Sequence, residues 1–363
     1  MLRRFARPSL ALFGLAAPLA AQSSVKPLPE AARPSALAWK LAAPRVAESA
    51  PLTDEVLEPR ERRGGPNAAG VEPAERAQLP RNELVAASAE DGPKVELGLD
   101  AFASPSTNLK GAAGSTDVAR GGWNARLGWR AGEDQGFTLG LSSEASFYRF
   151  SNATSLLPGS GTGEPLNDVY ETSLGATLVT RSSQRTSFFT SAALTLGGED
   201  NASLGESLTL AAVTGVRYEA HEDLTLDAGL AALTLHEGAP WVLPYLGFEW
   251  RIDDGWRLGF EGSKIELACD LGEHWTLAGK ASYELRQYRL NDDGPAQGGA
   301  FRDQEIDVGA AIEWRPRAGA SLRLDAGLAV WRELEFFDAA GHKLSETEVD
   351  PAPYVALALE LGF

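Results

Sequence analysis

From Lys94 to Phe363 apolar and polar side chains alternate with a period of two, segment after segment, and turn residues separate the segments. The last segment shows the pattern plainly. Val355, Leu357, Leu359, Leu361 and Phe363 share one face, while Tyr354, Ala356, Ala358, Glu360 and Gly362 share the other. A period of two marks β-strand, whose successive side chains point to opposite sides. The chain therefore builds a large sheet with one apolar face. That face must pack on a second sheet or meet lipid.

The spacing predicts about fourteen strands, near 94–104, 119–130, 136–150, 168–181, 186–197, 206–219, 224–235, 242–251, 256–262, 264–270, 275–290, 305–315, 320–335 and 354–363. If 256–270 is a single crossing instead of a hairpin at Gly262-Ser263-Lys264, the count falls to about twelve. The connections alternate in length. SPSTNLKGAAGST, SNATSLLPGSGTGEPLN, GEDNASLG, HEGAP, NDDGPAQGGAFRD and DAAGHKLSETEVDP are the longer ones. AGEDQ, SSQR, AHED, IDDG, LGEH and RPRAG fall between them and are short. Such alternation is typical of transmembrane β-barrels, with short turns at one rim and longer loops at the other.

Alternation alone does not separate a barrel from a soluble sandwich, but the aromatic residues do. Trp129, Phe137, Tyr218, Trp250, Trp256, Trp275, Trp314 and Phe363 all lie on the apolar face beside short turns. Amphipathic rings gather at the headgroup level of a bilayer. A sandwich core has no reason to collect its tryptophans at one end. The expected fold is an all-β, closed, antiparallel transmembrane barrel over 94–363.

The remainder of the chain fits export. Arg3, Arg4 and Arg7 precede a short apolar run, Ser9 to Leu19, and small residues Ala20-Ala21. This reads as a signal peptide over 1–21. Residues 22–93, rich in Pro, Ala and Glu, read as a disordered periplasmic lead. The single cysteine, Cys269, excludes an internal disulfide and any cysteine-based zinc site. The net charge of −17 argues against a nucleic-acid partner. The expected partners are outer-membrane lipid, lipopolysaccharide and the barrel assembly machinery, which reads a terminal strand closed by an aromatic residue. Tyr354, Leu359, Leu361 and Phe363 are the candidate assembly signal.

The region from Lys94 to Phe363 resembles an uncharacterised family of bacterial proteins described as outer-membrane β-barrels. The carrying stretches are PYLGFEWRIDDGWRLGF (Pro244 to Phe260), WTLAGKASYELRQYRL (Trp275 to Leu290) and the strand closing on Phe363. The resemblance implies fold and location in the Gram-negative outer membrane. It brings no reaction, ligand or functional residue.

No catalytic motif is legible. His221, His236, His274 and His342 all fall in predicted turns or loops, none beside a serine that it would activate. No cofactor or metal-ligand set is expected. The polar inward face is the better candidate. Arg126, Glu144, Glu171, Asp227, Lys280, Glu284, Arg286, Asp307, Arg323 and Asp325 are the pore-lining candidates, because rings of charge set selectivity in a pore. Three functions follow, in order of support. They are a porin-like channel for small polar solutes or ions, a structural or surface-interaction barrel with a closed lumen, and an enzyme acting on envelope lipids.

Overall fold

The computed structural model describes residues 93–363, except 133, 158–163 and 167. The expected signal peptide, and the expected lead apart from its last residue, lie outside the described residues. The strands are β1 (Lys94–Lys110), β2 (Ser115–Arg130), β3 (Gln135–Ser151), β4 (Val169–Arg181) and β5 (Thr186–Glu199). Then come β6 (Leu208–His221), β7 (Leu224–Leu233), β8 (Trp241–Arg251), β9 (Trp256–Glu261) and β10 (Lys264–Asp270). Last are β11 (Trp275–Arg289), β12 (Ala300–Arg317), β13 (Ala320–Phe337), β14 (Lys343–Val349) and β15 (Ala352–Gly362).

Each strand from β1 to β13 pairs antiparallel with the next. β14 and β15 occupy one track, since each lies between β13 and β1. Asp350 and Pro351 interrupt that track, where proline has no N–H for the ladder. Counted once, the track completes a closed antiparallel barrel of 14 strands. The seam runs from Glu96↔Gly362 to Ala103↔Val355. The Phe363 N–H donates to the Val95 carbonyl at 2.8 Å, and the Val95 N–H donates back at 3.2 Å. Closure removes the exposed edges that an open sheet would carry.

The hairpin at Gly262 and Ser263 forms as expected, and Gly262 supplies the positive φ of 56° that a tight turn needs. Two expected loops are at least half strand. β1 runs on to Lys110, so the first long connection shrinks to residues 111–114. Thr107↔Thr116 and Asn108↔Ser115 resume pairing after an irregularity at Ser104. The stretch DAAGHKLSETEVDP contains β14, whose Lys343, Ser345, Glu346 and Thr347 pair with β13. Both errors come from reading polar, turn-rich composition as loop, whereas strands standing above an apolar band have no need of apolar residues.

The apolar face points outward. Leu99, Leu174, Leu230, Val242, Leu246, Leu324 and Leu357 are among its exposed residues. Rings collect at the short-turn rim, where Trp129 meets Phe137 at 4.3 Å and Trp275 stacks on Trp314 at 6.1 Å. Tyr218, Trp250, Trp256 and Phe363 are exposed at the same rim, with Phe363 74% accessible. An apolar surface of this breadth, girdled by aromatics, suits lipid.

The wall is uneven. β1–β3 and β11–β13 are 15 to 18 residues long, whereas β9 has 6 and β10 has 7. A strand needs about 9–11 residues to cross a bilayer core. Above the Gly262 turn, β8 and β11 continue with neither β9 nor β10 between them. The last rungs are Gly247↔Glu261 on one side and Lys264↔Ser282 on the other. The Leu246 carbonyl accepts from the Gly262 N–H, so the backbone of Pro244, two residues on, faces the same open side. Proline there removes a donor that would have no partner.

At the long-loop end the tall wall closes across itself. Gly198 of β5 pairs in parallel with Arg289 of β11. A Cβ on Gly197 or Gly198 would sit 2.9 Å from the Gln287 or Arg289 carbonyl oxygen, so only glycine permits this approach. Inside the narrowed ring lies an apolar core that includes Phe150, Leu156, Leu157, Phe301, Leu334 and Phe336. Leu156 and Leu157 come from the start of the β3–β4 connection and are buried in this core.

Candidate functional site: the charged lumen

All ten candidate lumen residues lie on the inner face, opposite the exposed apolar side chains. The register sorts them into groups. Nearer the short-turn rim, Arg217 donates to both carboxylate oxygens of Asp227 at 2.7 Å. Lys280 meets Asp325 at 2.7 Å. Arg323 donates to Asp325 at 2.7 Å and reaches Glu266 at 3.0 Å. Arg126 pairs with Glu96 at 3.6 Å.

The second group lies beneath the apolar core, where Glu144, Glu171, Glu284, Arg286 and Asp307 converge with residues that the sequence reading missed. Arg120, from β2, reaches Asp303 at 3.1 Å and Glu305 at 2.9 Å. Arg332 donates to both oxygens of Asp303 at 2.9 and 2.7 Å. The Tyr148 hydroxyl donates to Asp303 at 2.6 Å. Arg286 donates to Glu305 at 2.7 Å, pairs with Glu284, and faces Glu144 at 3.7 Å. Asp303, Glu305, Arg120 and Arg332 are almost fully enclosed. Bonds between charged partners in such surroundings are strong and directional.

The missed residues have identifiable causes. Arg120 shares its face with Arg126 by simple alternation and was legible. Asp303 lies in a stretch read as loop. Arg332 sits beyond an irregularity where Ile306 pairs with Trp331 but Asp307 pairs with Ala329. One extra residue in β13 reverses its facing, so Arg332 turns inward although alternation from Arg323 and Asp325 assigns it outward.

Within this second group, two rungs set like charges directly opposite one another, Glu144↔Glu171 on β3–β4 and Glu284↔Glu305 on β11–β12. Such pairs are unfavourable unless something of opposite charge lies between them. Arg286 reaches Glu144, Glu284 and Glu305, and Glu305 is also met by Arg120 and Arg332.

Two loops close over the low wall. Glu206, between β5 and β6, pairs with Arg289, and Glu237, between β7 and β8, pairs with Arg302. The His236 N–H donates to the Gln287 side chain at 3.2 Å. The His236 ring Nδ1 donates to the Glu206 carbonyl at 3.1 Å, which leaves Nε2 buried without a hydrogen-bond partner. Burial holds this imidazole down at about 4, so it is neutral near pH 7. His221, His274 and His342 lie at strand ends or turns, with the His342 ring near the Asp338 carboxylate at 3.1 Å.

Of the candidate assembly signal, Leu359, Leu361 and Phe363 share the outer face. Tyr354 points inward, packs on Phe102 at 5.6 Å, and occupies the space left by Gly309 and Gly327.

Residues 208–362 match the family model described as a domain of unknown function (DUF6268). The DUF6268 match begins at β6. It includes the low wall, Glu284, Glu305 and Asp307, and excludes the β3–β4 connection. The fold is also similar to solved structures. The Pseudomonas putida toluene transporter TodX is 12% identical with a TM-score of 0.41, over 77% of this chain and 91% of that one. A Pseudomonas aeruginosa FadL homologue is 11% identical with a TM-score of 0.40, over 75% and 90%. The KdgM porin is 9% identical with a TM-score of 0.30, over 73% and 99%. No curated protein matches the chain.

Proposed function

We propose that this barrel sits in the bacterial outer membrane, with its short turns in the periplasm, and acts as a channel for small polar solutes or ions that is closed in the state described. The observation that carries the reading is the contrast between faces. The outside is apolar and girdled by rings, while the inside is charged around its circumference. A barrel whose only role was to stand in the membrane would have no need to line its lower lumen with Arg217, Asp227, Glu266, Lys280, Arg323 and Asp325. Fixed charges of both signs favour entry of polar solutes over apolar ones. Closure comes from Leu156 and Leu157 wedged against Phe301, Leu334 and Phe336.

Planar-bilayer recording tests the reading. The native chain gives rare or no conductance steps. Removal of residues 154–166 gives stable steps, with the fold checked by circular dichroism and heat-modifiable mobility. A folded, inserted and trimmed barrel that stays silent refutes the channel. The apolar core then supports the second reading, a permanently closed barrel that presents its long loops to a surface partner.

A further inference from the structure

The excess of acid beneath the apolar core has a consequence for ligand binding. Asp100, Glu144, Glu171, Glu284, Asp303, Glu305 and Asp307 share this region with Arg120, Arg286 and Arg332. Nearby Lys280 is taken up by Asp325. The register explains where the imbalance concentrates. Arg286 stands opposite Asp303, and Arg332 opposite Glu305, but Asp307 stands between Ser282 on β11 and Ala329 on β13. Asp307 is 4% exposed, and its Oδ1 has no hydrogen-bond partner. Glu305, 1% exposed, gives Oε1 to both Arg120 and Arg286, while its Oε2 has no hydrogen bond and only an ion pair with Arg332 at 3.7 Å. Carboxylate oxygens of Glu284, Glu305 and Asp307 all lie within 4.8 Å of one another.

A further buried oxygen is nearby. The Tyr354 hydroxyl, on a side chain 5% exposed, has no hydrogen-bond partner. It lies 2.6 Å from where a Cβ on Gly309 would stand, and Gly309 is the next inward position after Asp307. Leaving buried polar oxygens without partners is costly.

We propose that Glu284, Glu305 and Asp307 bind a hard divalent cation of calcium size on the inner wall of the barrel. The donor set is all oxygen, with no histidine or cysteine, as hard cations require. Calcium bonds of about 2.3–2.6 Å allow oxygens around one ion to stand up to about 5 Å apart, a limit these three satisfy. Glu284 is the partly exposed member of the set, so it provides the approach from the lumen and room for waters to complete the shell. The ion neutralises the Glu284↔Glu305 rung and gives Asp307 the positive partner that the register denies it. The Tyr354 hydroxyl is placed to contact a water of that shell. A second carboxylate group, Glu333, Glu335 and Glu346, lies at the end of the tall wall, but none of its oxygens is both buried and without a hydrogen-bond partner.

The test needs no membrane and so is independent of conduction. Calcium chloride is titrated by calorimetry into the full chain, purified in detergent and washed with chelator. The expected result is one saturable site with a raised melting temperature. Asp307→Asn and Glu284→Gln each weaken binding at least tenfold, while Glu346→Gln leaves it unchanged. Glu284→Gln alters a partly exposed residue and guards against a variant that fails to fold. Absence of saturable binding up to about 10 mM, beyond the weakest calcium modules, overturns the proposal. So does native affinity in folded Asp307→Asn and Glu284→Gln, or loss of the site in Glu346→Gln.

Discussion

The barrel has a tall side, β1–β5 with β11–β15, and a low side, β6–β10. They use the same alternation for different ends. On the low side the strands range from 6 to 14 residues, their outer residues are apolar and exposed, and their inner charges pair locally, as Arg217 does with Asp227. On the tall side the strands continue past the band, and their extra length houses an enclosed charge network topped by an apolar core. Strand length beyond the crossing requirement therefore marks where this barrel builds an interior resembling that of a soluble protein.

Three changes probe that contrast. The largest effect is expected at Arg332. Replacement by Met leaves the enclosed Asp303 and Glu305 short of a cation, and breaking a buried pair costs about 3–5 kcal/mol. Urea unfolding followed by tryptophan fluorescence reads the loss. Arg126→Met on the exposed rung with Glu96 changes stability by less than about 1 kcal/mol. Equal losses at the two sites would mean that the tall side is no more an enclosed interior than the rest of the lumen.

A smaller effect is expected at the bridge. Gly198→Val puts a branched side chain against the Arg289 carbonyl and separates β5 from β11. Amide exchange then accelerates at position 198 and in the 200–207 loop, while Asp227 and its neighbours on β7 keep their protection. Uniform acceleration would show that the two sides unfold as one unit.

The smallest is a pH effect on the loops over the low wall. The folded state holds His236 at about 4, below its ordinary 6.5, so it excludes a proton that the open loop accepts. The seating of loop 234–240 is full above pH 6.5 and weakens progressively as pH falls toward 4. The facing charged groups are Glu206, Glu237, Arg289 and Arg302. Exchange rates of the 234–240 amides between pH 7 and 5, corrected for intrinsic rate, check this. His236→Gln, which does not titrate there, removes the pH dependence.

Much of the barrel was legible because a period of two survives in nearly every strand, and because the apolar set keeps to one face. The hairpin at Gly262 was legible from the glycine and the change of phase around it. The enclosed network was legible only in part. Glu144, Glu284, Arg286 and Asp307 follow from alternation, but Asp303 sits where polar residues resemble loop, and Arg332 is hidden by one extra residue in β13. Leu156 and Leu157 were invisible as core because they lie in a turn-rich connection, and local sequence does not say which way such a connection folds. The β5–β11 contact left only a pair of adjacent glycines as a trace.

That contact carries a rule of parity. Around the full circumference, an even number of strands lets every neighbour run opposite to the next. The bridge at Gly198 and Arg289 leaves out β6 to β10, an odd number, so the ring that remains, with β14 and β15 as one strand, has nine members. A closed ring of nine cannot alternate throughout, and one pair of neighbours must run the same way. The parallel pairing of β5 with β11 is that pair. Rings of about eight strands are just wide enough for side chains to fill. The chain thus places a small packed barrel on top of a wide one, using one sheet for both.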